Sequence, residues 1–294
     1  MSKKLSNILV IGGSGFIGSH TSDALSNSGY KVSILDKIKS PWIRKDQKMI
    51  IGDTMDKTIL DKSMKNIDCI YYFAGIADIE EARANPIFTI EKNIMGLAYA
   101  LDISVKNKVK KFIYASTMYV YSSEGSFYRA TKQAAEILIE SYQENFKLDY
   151  VFLRYGSLYG PRSQNWNGVR KFVQQILKKG FVDYEGSGLE NREYINVKDA
   201  ANLSIKALEA KYKNMALTIT GQQSIKISDM LAMIFEIAGK DTKVNYSSKK
   251  IKTFHYGHTP YRYKPKSSIK IIPTEFIDLG EGLLDIIDEV HNSK

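Results

Sequence analysis

A short apolar run, Asn7-Ile8-Leu9-Val10-Ile11, leads directly into Gly12-Gly13-Ser14-Gly15-Phe16-Ile17-Gly18, and few folds accommodate that succession. It predicts a strand, a tight turn and a helix, with glycines where the backbone must turn sharply and approach a ligand closely. The free amides and dipole of the helix start suit a pyrophosphate. The doubled Gly12-Gly13 allows two registers, Gly13-x-Gly15-x-x-Gly18 or Gly12-x-x-Gly15-x-x-Gly18. A second apolar run, Val32-Ser33-Ile34-Leu35, ends at Asp36, eighteen residues after Gly18, where a carboxylate can accept both hydroxyls of an adenosine ribose. That favours NAD over NADP. Lys37 and Lys39 follow directly and offer charge to a 2′-phosphate, and Asp36 also suits an ordinary turn at a strand end.

Further apolar runs recur near 49–51, 69–73, 112–115 and 150–153, separated by helix-patterned segments near 16–28, 57–65, 89–107 and 128–145. Alternation of this kind predicts an α/β, Rossmann-type, doubly wound parallel sheet whose strand ends form the ligand crevice. After Arg154 the pattern breaks up around Gly156, Gly160-Pro161, Gly168, Gly180, Gly186 and Gly188, as expected of loops shaping a substrate site. The expected division is a nucleotide-binding domain over 1–156, with 190–221 packing back onto it, and a smaller, irregular substrate-binding domain over 157–294.

The chemical signal is Tyr128-Arg129-Ala130-Thr131-Lys132. On a helix, residues four apart share a face, so Lys132 can stand beside Tyr128, lower its pKa by charge proximity and reach a bound cofactor. A phenol so tuned exchanges a proton near neutral pH. With 19 tyrosines in the chain, such a spacing also arises by chance, so the glycine loop upstream is what gives it weight.

No apolar stretch approaches the roughly 20 residues that cross a bilayer, and the amino terminus lacks the apolar segment of a signal peptide, so a cytoplasmic protein without membrane contact is expected. The single cysteine, Cys69, lies in a strand-like run and should be buried. A net charge of +10 is scattered along the chain without a nucleic-acid motif, so no nucleic-acid partner is expected. The densest basic stretch, Lys243 to Lys270, reads as a solvated face or an anion site.

Taken in order, these segments resemble the extended short-chain dehydrogenase/reductases, specifically the NAD-dependent nucleotide-sugar epimerase and dehydratase group. The resemblance is carried by Gly12 to Gly18, Asp36, Gly52-Asp53, Phe73-Ala74-Gly75 and Asn93-x-x-Gly96. It continues through Phe112 to Thr117 with Val120-Tyr121, Tyr128 to Glu136, Leu153 to Arg162 and Gly186 to Asp199. It implies that Thr117, Tyr128 and Lys132 are the catalytic set. The cofactor would be NAD, held by Gly12, Gly15, Phe16, Ile17, Gly18, Asp36, Asp53 at the adenine, Ala74, Gly75, Asn93, Tyr128 and Lys132. No metal is called for. A nucleotide-diphosphate sugar would be bound by Ser116, Thr117, Ser157 and the later loops. Arg192 is the first candidate for its diphosphate because a guanidinium offers forked donors, with Arg162 and Arg262 behind it. The long helices near 89–107 and 128–145 resemble those through which the family forms homodimers.

Departures narrow the reaction. Dehydratases typically carry an acid pair after the catalytic Thr, whereas Met118-Tyr119 stand here. Only Ser122 to Phe127 separate Tyr121 from Tyr128, a shorter link than is usual, and Ser157 stands where many epimerases have Asn. The expectation is therefore a 4-epimerase working through a transient 4-keto sugar. Net C4 oxidation or reduction, or a non-catalytic NAD-binding sensor, are the alternatives.

Overall fold

The structure, a computed structural model, describes residues 5–247 and 255–262. The six apolar runs become strands: β1 (Asn7–Ile11), β2 (Lys31–Asp36), β3 (Gln47–Ile51), β4 (Cys69–Tyr72), β5 (Lys111–Thr117) and β6 (Asp149–Tyr155). Beyond them lie β7 (Ser157–Tyr159), β8 (Val182–Tyr184), β9 (Asn191–Asn196), β10 (Met215–Ile219), β11 (Ser224–Lys226) and β12 (Val244–Tyr246). The main sheet is parallel throughout, in the order β10-β6-β5-β4-β1-β2-β3. Chain direction across the sheet reverses between β1 and β4, and a doubly wound sheet opens its ligand crevice at that point.

The central strands are apolar on both faces because helices cover both. Leu9 and Ile11 of β1 enter one core with Leu35, Ile70, Tyr72 and Phe112, while Ile8 and Val10 enter the other with Ile34, Tyr71 and Ile113. That is the two-residue alternation of a strand read in three dimensions. Cys69 lies in the second core, fully buried and unpaired, and burial pushes its thiol well up.

Helices α1 (Phe16–Asn27), α2 (Lys57–Ser63), α3 (Ile79–Ala84), α4 (Pro86–Ile90), α5 (Gly96–Lys106) and α6 (Ser126–Phe146) connect these strands; α7 (Gly168–Lys179), α8 (Val197–Ser204) and α9 (Ile227–Ile237) follow. The helix expected over 89–107 runs from Pro86 to Lys106, with one π-helical turn, Glu91–Met95, between α4 and α5. The wider turn accompanies Asn93, whose buried amide is bound outside the helix. Residues 197–219 return to the main sheet: α8 packs on α1, and β10 pairs with β6. The remaining later segments build two small sheets, β11-β9-β7 and β12-β8, with a third core of Ile176, Val182, Ile227, Leu231 and Phe235. Most of the basic stretch from Lys243 to Lys270, and residues 263–294 of the expected substrate domain, lie outside the described residues.

Candidate active site

Two glycines of the first loop are dictated by backbone crowding. Gly12 has φ +83°, and a Cβ there would stand 2.6 Å from the Ala74 nitrogen; a Cβ on Gly18 would stand 2.3 Å from the Gly12 carbonyl oxygen. Gly13 meets only side-chain atoms of Ile34 and Val10, so the backbone demand falls on the Gly12-x-x-Gly15-x-x-Gly18 register. Gly15 caps α1 without any side-chain bond, leaving the first turn from Phe16 open toward the crevice. Asp36 braces the loop: its Oδ2 accepts from the Ser14 amide at 2.9 Å, and Oδ1 accepts from the Ile38 amide at 3.2 Å.

Lys37, which the sequence offered to a 2′-phosphate, pairs with Asp53 at 2.9 Å, and Lys92 joins the same carboxylate at 3.1 Å. Partial burial alone would raise the Asp53 carboxyl, but Lys37, the Met55 amide and Lys92 outweigh it and hold it at about 2. The charge of Lys37 is thus already engaged, which agrees with the preference for NAD. Lys39 is exposed.

At the end of β4, Ala74 and Gly75 line the crevice. Asn93, expected to touch the cofactor, makes bonds within the framework. Its Oδ1 accepts from the Ile76 amide at 2.7 Å, and its Nδ2 donates to the Ile76 carbonyl at 3.1 Å and to Thr131 Oγ1 at 3.0 Å. The side chain therefore ties the turn after β4 to α6. Gly75, at φ +137°, leaves room for it, since a Cβ would stand 2.6 Å from Asn93 Oδ1.

Across the crevice, β5 delivers Thr117 and α6 delivers Tyr128 and Lys132, one turn apart. Lys132 is 7% exposed; its Nζ donates to the Ala115 carbonyl at 2.6 Å and lies 4.6 Å from the Tyr114 ring centroid and 5.9 Å from that of Tyr128. Ser116, expected to meet substrate, lines the cleft beside Thr117, and its hydroxyl donates to Glu136 Oε1 at 2.5 Å.

A single cleft of about 1060 Å³ runs from the glycine loop past Thr117, Tyr128 and Lys132 to Ser157, Tyr184 and Arg192. It lies just above the range for one small-molecule site and suits two ligands placed end to end. Arg192, on β9, lies 5.7 Å above the Tyr256 ring, and its Nε has no acceptor among the described residues. Arg162 is not brought to this cleft. It pairs with Asp23 of α1 at 2.8 Å and stacks on Trp42 at 5.3 Å. Arg262 is exposed and lies outside the cleft lining.

Residues 8–219 match the NAD dependent epimerase/dehydratase family, close to three quarters of the chain. The chain belongs to that family. A putative UDP-glucose 4-epimerase of Methanocaldococcus jannaschii is 26% identical over 249 residues, 77% of this chain and 81% of that protein. A dTDP-D-glucose 4,6-dehydratase of Dictyostelium discoideum is 28% identical over 232 residues, 66% of this chain, and the chain spans about half of that relative's length, 54%. Among solved structures, a UDP-glucose 4-epimerase of Thermotoga maritima with UDP-glucose superposes with a TM-score of 0.80 at 26% identity, covering 87% of this chain and 90% of that one. A UDP-glucuronic acid 4-epimerase of Bacillus cereus, in complex with UDP-glucuronic acid and NAD, gives 0.79 at 27%, covering 89% and 95%.

NAD is the cofactor of the epimerase/dehydratase family, and the residues present fit it. The glycine cradle has no room for any Cβ at Gly12 or Gly18, the start of α1 is uncapped, and Asp36 stands at the end of β2. The electrostatics of the Tyr-Lys pair differ from the simplest expectation. Burial pushes Tyr128 up to about 12, with Thr117 pulling the other way and Tyr256 adding to the rise. Lys132 Nζ lies 5.9 Å from the Tyr128 ring centroid, and burial prevails at the phenol. Burial likewise brings Lys132 down to about 8, opposed by Glu136.

Three contributors were not read from the sequence as site residues. Tyr119 packs edge-on against Tyr128 at 5.8 Å and lies 4.4 Å from Tyr256, and its hydroxyl meets His255 Nδ1 at 2.8 Å. Tyr119 stood out only as a departure from the dehydratase pattern, and His255 and Tyr256 come from a segment without periodicity. Their meeting is a contact across more than 130 residues that local pattern does not encode. Among the described residues, no group of three or more His, Cys, Asp or Glu comes together as metal ligands, and no helix is long and apolar enough to cross a membrane.

Proposed function

We propose that the protein epimerises a nucleotide-diphosphate sugar at C4 through a transient 4-keto intermediate. The observation that carries this reading is the continuity of one cleft from the dinucleotide loop, past Thr117, Tyr128 and Lys132, to the half-buried Arg192, whose Nε has no acceptor among the described residues. NAD, when bound, supplies the hydride store. Tyr128, as its phenolate, takes the proton of the sugar's C4 hydroxyl while C4 gives up a hydride, and the resulting phenol returns that proton when the carbon is reduced on its other face. Thr117 steadies the same sugar oxygen, and Lys132 would hold the cofactor's ribose side, its positive charge favouring the phenolate form of Tyr128. Arg192 anchors the diphosphate while the sugar turns, with Ser157 beside it.

Ser157, Tyr184 and Arg192 line the substrate end of the cleft. Ile87, Ile90, Met95 and Ile137 are exposed on α4, the π-turn and α6, which supports a homodimer through these helices. Incubation with a panel of nucleotide sugars, followed by NMR of the products and NADH absorbance, tests the reading. An inverted C4 without net NADH change supports it. Stoichiometric production or consumption of NADH would make the protein a net dehydrogenase or ketoreductase, and bound NAD without turnover would make it a sensor.

A further inference from the structure

Beneath the Tyr-Lys pair lies a buried ionic network that the reaction does not use directly. Glu136 follows Lys132 by one helical turn and Tyr128 by two, so the three share a face of α6. It is 8% exposed. Its Oε1 accepts from Ser116 Oγ at 2.5 Å and from Arg154 Nε at 2.9 Å, and its Oε2 accepts from Arg154 at 2.6 Å. Arg154 in turn bonds the Tyr121 hydroxyl in the 3₁₀ turn after Thr117. One carboxylate thereby joins the ends of β5 and β6, the helix bearing Tyr128 and Lys132, and the turn capped by Thr117.

We propose that Glu136 is a positioning residue of this site: its bidentate bond to Arg154 and its bond to Ser116 lock Thr117, Tyr128 and Lys132 in register, and its negative charge faces Lys132. The inference deepens the epimerase reading and rests on it for the roles of Tyr128 and Lys132. The groups facing Lys132 are few. From α6 there are Tyr128 and Glu136; from β5, Tyr114 and the Ala115 carbonyl. Glu136 itself is faced by Ser116, by Arg154 and Tyr121 behind it, and by Glu140 with Tyr150 further along α6 and β6. Of these, Glu136 is the anion that opposes the effect of burial on Lys132. Its removal takes away the carboxylate that favours the Lys132 ammonium, and so disfavours the charged form.

The test reads the lysine itself. Titration of carbon-13-methylated lysines by NMR, with Lys132 assigned from a Lys132→Arg spectrum, gives its midpoint in wild type, Glu136→Gln and Glu136→Asp. Glu136→Gln should lower the midpoint by roughly one pH unit, so that the charged fraction above it falls about tenfold. Glu136→Asp keeps the charge and should hold the wild-type midpoint within a few tenths. A purely structural role would move neither, and equal midpoints in wild type and Gln, or an equal shift in Asp and Gln, would overturn the proposal. Should Glu136→Gln fail to fold, Arg154→Met leaves the carboxylate unneutralised and must raise the midpoint; no rise refutes the proposal equally. Wild type that turns over no nucleotide sugar while these shifts appear would sink the epimerase reading and leave the role of Glu136 standing.

Discussion

Replacing Lys132 by methionine should remove activity and yet stabilise the cofactor-free protein at pH 7, because the wild type keeps an ammonium where water is excluded. Lys132 is 7% exposed and its midpoint falls from the ordinary 10.5 to about 8, burial being the chief cause and Glu136 opposing. At about 1.4 kcal/mol per pH unit, holding the charge in the folded state costs about 3 kcal/mol at pH 7. Methionine has similar length and no charge, but it leaves the Ala115 carbonyl without its 2.6 Å donor, a loss of about 1–3 kcal/mol. The net gain at pH 7 is therefore small, about 1 kcal/mol. The decisive quantity is its pH dependence. Between about 8 and 10.5 the unfolded chain binds the proton that the native amine has released, so wild-type stability rises relative to the variant. Urea denaturation of both apo-proteins at pH 7 and pH 10 should show the stability difference shrinking or reversing by about 2 kcal/mol. A difference that is the same at both pH values would refute the reasoning, whatever its size, because the hydrogen-bond and packing contributions do not titrate.

Tyr128→Phe should lower turnover by about 10²–10⁴-fold while NAD remains bound, as read by mass spectrometry of the released cofactor; retained turnover would remove Tyr128 from the mechanism. Gly18→Ala places a methyl 2.3 Å from the Gly12 carbonyl oxygen, so both cofactor retention and melting temperature should drop, at a cost of about 1–3 kcal/mol. Arg162→Ala breaks the pair with Asp23, whose side chains are partly exposed, and should cost less than about 1 kcal/mol with KM unchanged. Arg192→Met should instead raise KM for the nucleotide sugar by about tenfold or more, with NAD still bound, and equal KM effects of the two arginine variants would contradict the placement of Arg192.

The parallel sheet was legible because its signals are local. Strand alternation and helical period are set by neighbours within a few residues, and the demand for glycine at Gly18, like the positive φ of Gly12, follows from a turn the chain makes within seven positions, whereas the crowding of Gly12 against Ala74 does not. The pairing of Tyr128 with Lys132 was readable for the same reason. Side-chain partnerships distant in sequence were not legible. Ser116 lines the cleft and also bonds Glu136, twenty residues on, while Asn93 holds Ile76 and Thr131. Arg162 carries a guanidinium as suitable for phosphate as that of Arg192, yet lies against Asp23 and Trp42.

By itself the sequence determined the order of strands and helices, the glycine cradle, the acid at the end of β2 and the phenol-ammonium spacing, since each is a property of consecutive residues. Only the tertiary structure decided which polar groups remain free to meet a ligand. A hydroxyl, amide or guanidinium is available for chemistry only when the fold has not already satisfied it, and that depends on side chains brought together from far along the chain. The same holds for the charge states of Tyr128 and Lys132, which burial sets against their neighbours and which no spacing along the chain records.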